Sequence, residues 1–205
     1  MRVRHRGHFR TKEDSTMSDQ PEHLVKSYDT ELNRLRAMIT EMGGLVEAQV
    51  ALASQAILQR DADAATRTVE DDVKVDALER DIEQFVIRML ALRQPMAGDL
   101  RLIVAALKMT GDLERIGDYA ANAAKRSIVL AQYPMGYALG GLAHMLNLVQ
   151  AQLKAVIDSI GDNDAEKAVE VWKSDARVDE IYNTVFRELI TYMMEDPRNI
   201  TSCAH

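Results

Sequence analysis

The chain contains one cysteine, Cys203, and can close no internal disulfide, so the expected setting is a reducing cytoplasm. Only four prolines and ten glycines occur in 205 residues, and aromatics make up 5%. With so few turn formers and strand-favouring aromatics, and no stretch that reads as a sheet, all-β and mixed architectures are excluded. No apolar run approaches the ~20 residues that span a bilayer, and the N-terminus lacks the apolar core of a signal peptide. A basic excess is missing as well. The net charge of −7 argues against a nucleic-acid binder and fits a surface that attracts cations.

What the chain does contain is Ala, Leu, Met, Glu and Arg arranged in long helical periodicities. These predict an all-α protein, long enough for one or two domains with a real core. Residues 1–16 carry Arg2, Arg4, Arg6, Arg10 and Lys12 against Glu13 and Asp14 and show no periodicity. They read as a disordered basic extension ahead of the patterned chain, which begins just after Met17.

One long helix is predicted from about Leu24 to Arg60, with Leu35, Met38, Met42, Leu45, Gln49, Leu52 and Ala56 at heptad spacing and Ile39, Val46 and Ala53 beside them. Gly43-Gly44 marks a kink, a close helix crossing or two tolerated glycines. A second helix runs from about Ala64 to Leu92 with a seam of Val75, Leu78, Ile82, Phe85 and Met89, and Arg93-Gln94-Pro95 closes it. The third, Asp99 to about Leu130, places Leu100, Ile103, Val104 and Leu107 inward. Continued, that spacing puts Glu114 and Asp118 on the same stripe. Ionised carboxylates withdrawn from water cost several kcal/mol unless a cation or strong donors offset them. A metal ion is the economical solution. Gly111 and Gly117 each cost about 1 kcal/mol relative to Ala in a helix, a cost that close approach of a helix or of ions would explain.

Gln132 to Gly136, with Pro134, reads as a linker. A fourth helix follows, with Leu142, Met145, Leu148, Val149, Leu153, Val156 and Ile160 inward, and a fifth runs from about Asp164 to Met194. Shifted by 103 residues, the fifth helix repeats the second: Asp61 falls on Asp164, Asp72 on Asp175 and Val75-Asp76 on Val178-Asp179. Both copies read Asp-x-x-x-Asp, which points to internal duplication. The donors are all oxygens with no local His or Cys, which favours Mg, Mn, Ca or oxidised iron over a closed zinc site.

The run LALRQPMAGDLRLIVAALKMTGDLERIGDYAANAAKR from Leu90, preceded by ELNRLRAMITEMGGLVEAQV from Glu31, resembles the PhoU family of phosphate-transport regulators. The similarity extends from about Met17 to the C-terminus. It implies two tandem three-helix bundles, here 17–131 and an incomplete 135–205 whose last helix has no counterpart. It further implies a cytoplasmic homodimer without catalytic activity and without membrane insertion. Such a protein would link the ATPase subunit of the phosphate ABC transporter to the sensor histidine kinase and keep the phosphate response off while phosphate is ample. Carried over by position, one metal cluster would use Asp72, Asp76, Glu114 and Asp118. A second would use Asp175 and Asp179, whose facing pair belongs to the family's last helix.

Two other classes compete with this reading. A ferritin-like di-metal protein needs Glu-x-x-His on two helices, and no histidine here has a Glu three residues before it. A purely structural scaffold would carry its acids as surface decoration, salt-bridged by Arg115, Lys108 or a neighbouring arginine. The methionines, Trp172, the tyrosines and His144 read as packing residues, and Cys203 lacks a nucleophile's surroundings.

Overall fold

The computed structural model describes residues 20–133 and 140–204. The expected basic extension and the linker from Pro134 onward lie outside the described residues. Five long helices follow in order: α1 Gln20–Gln59, α2 Ala62–Arg93, α3 Ala97–Leu130, α4 Gly140–Asp162 and α5 Ala165–Glu195. A 3-10 turn, Pro197–Asn199, leads into a short α6, Ile200–Ala204. No strand occurs among the described residues, so the chain is all-α as its periodicity predicts.

Local chemistry sets the helix ends. Arg60 takes a left-handed conformation (φ 57°), and Asp61 then caps α2 by accepting a hydrogen bond from the Ala64 N–H at 2.9 Å. The duplicated unit repeats this step. Asn163 is left-handed (φ 54°), and Asp164 caps α5 by accepting from the Glu166 and Lys167 N–H groups. At the other end of α2, Gln94 is left-handed (φ 46°) ahead of Pro95, which ends the helix where the sequence places the stop.

α1, α2 and α3 pack pairwise around one core of Leu35, Ile39, Met42, Val46, Val75, Ile82, Val86, Met89 and Ile103. Burying a side chain of this size fully is worth about 1.5–3 kcal/mol. The inward stripe of α3 differs from the predicted one. It runs Ile103, Ala106, Thr110, Leu113, Gly117, Ala120, Ala124, while Leu100 and Val104 are 41% and 42% exposed. Glu114 and Asp118 therefore flank the stripe rather than lie on it: Glu114 is half-buried and Asp118 exposed. The physical reason is that α3 turns its small residues toward α1 and α2, and that choice rotates the larger Leu100 and Val104 outward.

α4 pairs with α5 and also packs on α1. Gly43 is the crossing point: a Cβ there would collide with Ile157 Cδ1 and meet its Cγ1 at 2.9 Å, whereas Gly44 faces open space. Of the readings open for Gly43-Gly44, the close crossing holds. α5 leaves much of its apolar surface uncovered, with Trp172 76%, Phe186 51% and Met194 80% exposed. Trp172 and Tyr182 are thus not the packing residues expected, and His144 is exposed rather than buried in the core. Those residues stand on sides of α4 and α5 that no other described helix covers.

Arg93 ties the end of α2 to α1 through a two-bond pair with Glu31, at 2.9 Å from Nε and 2.8 Å from Nη2. The guanidinium holds the Glu31 carboxyl below its usual range. The pair's stabilisation is therefore complete above the ordinary Glu range, and it fades as pH falls from there through the lowered folded value. Glu31→Gln should melt a few degrees below the parent at pH 7, with the gap closing in acid; a pH-independent gap would contradict this.

Gly43→Ala gains helix propensity but forces a methyl into Ile157, a β-branched side chain with little freedom to move. We expect a net loss of about 1–3 kcal/mol in denaturant melts and faster hydrogen exchange in α4.

Candidate metal centre

α2 presents Asp72, Asp76 and Glu79 along one face at helical spacing, and α3 presents Glu114 and Asp118 one turn apart. The two faces meet. The carboxyl of Glu114 is pushed above its usual range by burial, and then by the charges of Asp118, Asp76 and Asp72. Glu79 is raised in the same way, by burial and then by Glu114, Glu83 and Asp76. Six carboxylates, Asp72, Asp76, Glu79, Glu83, Glu114 and Asp118, thus share one field. Among the described residues no lysine or arginine forms an ion pair with any of Asp72, Asp76, Glu79, Glu114 or Asp118; Lys74 pairs with Asp71 and Arg115 with Asp112. The salt-bridged reading of Glu114 and Asp118 is not what the side chains do.

Gly117 is what lets α3 come close. A Cβ on Gly117 would lie 2.9 Å from Gln49 Oε1, 3.5 Å from Val75 Cγ1 and 3.7 Å from Asp72 Oδ1. Gly111, by contrast, faces open space. Gln49 is buried in the apolar seam of α1 and reaches across to α2. Its Nε2 donates to Asp72 Oδ1 at 3.0 Å and to the Thr68 carbonyl at 3.3 Å.

The second pair is built differently. Asp175 and Asp179 are exposed on α5, and across the groove beside them α3 contributes a single acid, Asp112, to the lining. Asp175 accepts a hydrogen bond from Gln152 Nε2 at 3.3 Å and lies at the rim of a groove of about 590 Å³ between α3 and the α4–α5 pair.

The donor chemistry of the α2–α3 face fits a hard cation: carboxylate oxygens in mutual repulsion, with Arg115 and Arg80 offsetting them only in part, and a buried amide oxygen, Gln49 Oε1, without a hydrogen-bond partner. Among the described residues, no three His, Cys, Asp or Glu side chains are already drawn together as a closed ligand set. Binding would therefore require rotation of side chains that now stand apart.

Two members of this neighbourhood were not singled out from sequence. Glu79 continues the Asp72, Asp76 spacing by one more turn. Gln49, an amide among the apolar heptad positions of α1, recurs as Gln152 at the same 103-residue shift.

These features define a duplicated helical-bundle protein with an acid pair on the second helix of each copy. The family model described as PhoU domain matches residues 39–127 and again residues 142–204. A Caulobacter vibrioides protein named phosphate-specific transport system accessory protein PhoU homolog is 48% identical over 185 residues, 90% of this chain and 80% of the relative. A Xylella fastidiosa protein of the same name is 50% identical over 186 residues, covering 89% and 77%. The crystal structure of PhoU from Pseudomonas aeruginosa superposes with a TM-score of 0.84 at 39% identity, covering 86% of this chain and 85% of that one. The phosphate transport system regulatory protein PhoU from Streptococcus pneumoniae gives 0.77 at 27%, covering 85% and 84%. The chain belongs to the PhoU family.

Proposed function

We propose that this protein is a non-enzymatic accessory regulator of phosphate uptake. In this reading it couples the ATPase subunit of the phosphate ABC transporter to the sensor histidine kinase and holds the phosphate response off when phosphate is ample. The supporting observation is the double family match, together with 48% and 50% identity to relatives named as accessory proteins of phosphate-specific transport. In this reading the protein is a cytoplasmic homodimer; no helix among the described residues is long and apolar enough to cross a membrane. Removing the gene should raise a phosphate-responsive promoter reporter in phosphate-rich medium, and the wild-type copy should restore repression. Unchanged reporter output would overturn the regulatory role.

The α2–α3 face is assigned a metal ion, iron or a divalent cation of the Mg or Mn type, held by Asp72, Asp76, Glu114 and Asp118. When bound, such an ion neutralises the facing carboxylates and cross-links the two helices. The chain's own residues supply the rest. α3 approaches through Gly117, and burial of Glu114 strengthens the field that draws a cation in. Asp175 and Asp179 are the corresponding pair of the second unit. Because repulsion among the acids destabilises the metal-free fold, Glu114→Gln combined with Asp118→Asn should raise melting in EDTA. The parent should gain about 2.7 kcal/mol of stability from Mn²⁺ at a hundredfold excess over Kd, and the double variant should gain little. Equal Mn²⁺ stabilisation of parent and variant would remove these residues from the site.

A further inference from the structure

Gln49 departs from its surroundings. It is 1% exposed at a heptad position otherwise filled by Leu, Met, Val and Ala, and an amide withdrawn from water stabilises the fold only if both of its ends are satisfied. One end is. The nitrogen faces two acceptors, the Asp72 carboxylate and the Thr68 carbonyl, so the amide has only one sensible orientation and its oxygen must point the other way. That oxygen has no partner. It is directed at Gly117, where the absent side chain leaves a notch whose nearest atoms are Gln49 Oε1 and, beyond it, Val75 and Asp72 Oδ1. On α3, Glu114 and Asp118 both project to one side of Gly117, about 60° and 100° around the helix, so the notch borders the acidic face on that side.

This arrangement is not a local accident. Gln152 donates to Asp175 Oδ1 across the same interval of 23 residues that separates Gln49 from Asp72. Each copy of the unit therefore clips the leading acid of its pair with an amide from the preceding helix. Only in the first copy does a third described helix close over the clip.

Resting on the cation reading above, we infer that Gln49 belongs to the α2–α3 site. Its amide nitrogen sets the position of Asp72, and its buried oxygen supplies a neutral donor to the ion through the Gly117 notch. A neutral oxygen adds a ligand without adding to the repulsion among the carboxylates. It also ties the site to α1, which contributes no acid to it.

The test is a Mn²⁺ titration by calorimetry on the full chain, with melting in EDTA recorded separately. Gln49→Met keeps the volume and removes both functions, and Gly117→Ala fills the notch with a methyl that pushes Gln49 Oε1 out of it. Each should weaken Mn²⁺ by about tenfold or more. Gln152→Met should leave that affinity unchanged. Parental affinity in a folded Gln49→Met or Gly117→Ala protein, whatever its melting temperature, would reduce Gln49 to a structural clip and overturn the inference. If the unaltered chain takes up no Mn²⁺, the cation reading itself fails and this inference falls with it, an outcome the parental titration alone reveals.

Discussion

The architecture depends on how closely α3 can approach α1 and α2. Its inward stripe is built largely from small residues, Ala106, Gly117, Ala120, Ala121 and Ala124, all buried. Small side chains bring the helix axes together, and dispersion contacts and apolar burial reward the approach. The same approach presses the acids of α3 against those of α2. Packing thus creates the electrostatic conflict: the apolar seam forces together carboxylates that would otherwise separate. Burial of Glu114 beside Asp118, Asp76 and Asp72 is the measure of that conflict.

Duplication explains much of the remaining structure. The left-handed residue followed by a capping Asp, the Asp-x-x-x-Asp pair and the glutamine that holds its first member all recur at one shift of 103 residues. The copies differ in what surrounds them. In the first, three described helices enclose the seam. In the second, α4 and α5 pair with each other, α4 rests on α1, and the side of α5 bearing Trp172, Phe186 and Met194 stays open to water.

The number, type and order of the five long helices were legible because each keeps its period and ends at a chemical stop such as Asp61, Pro95 or Asp164; the 3-10 turn and the five-residue α6 after Pro197 are too short to show a period. The rotation of α3 was not. Leu100, Ile103, Val104 and Leu107 fit two neighbouring stripes equally well in a linear reading. The choice is made by Ala106, Gly117 and Ala124, whose value lies in what they allow to approach, and that is known only once α1 and α2 are in place. The acid pair on each helix was visible through spacing and repetition, whereas the facing of the α2 pair with the α3 pair was implied only by the family resemblance. Gln49 was overlooked because a lone amide in an apolar heptad looks like noise until its partner is seen. Trp172 and His144 were misjudged because an apolar neighbourhood along the chain does not show which sides of a helix other helices cover.

α1 serves both halves of the molecule. Gly43, where Ile157 of α4 is seated, and Gln49, which grips Asp72, stand six residues apart on the same uninterrupted helix, roughly 9 Å along its axis. Over less than two turns a helix behaves as a stiff rod, and a close-packed interior transmits small displacements rather than absorbing them. A displacement of Gln49 is therefore carried along α1 to the seat of Ile157 at Gly43, where α4 rests.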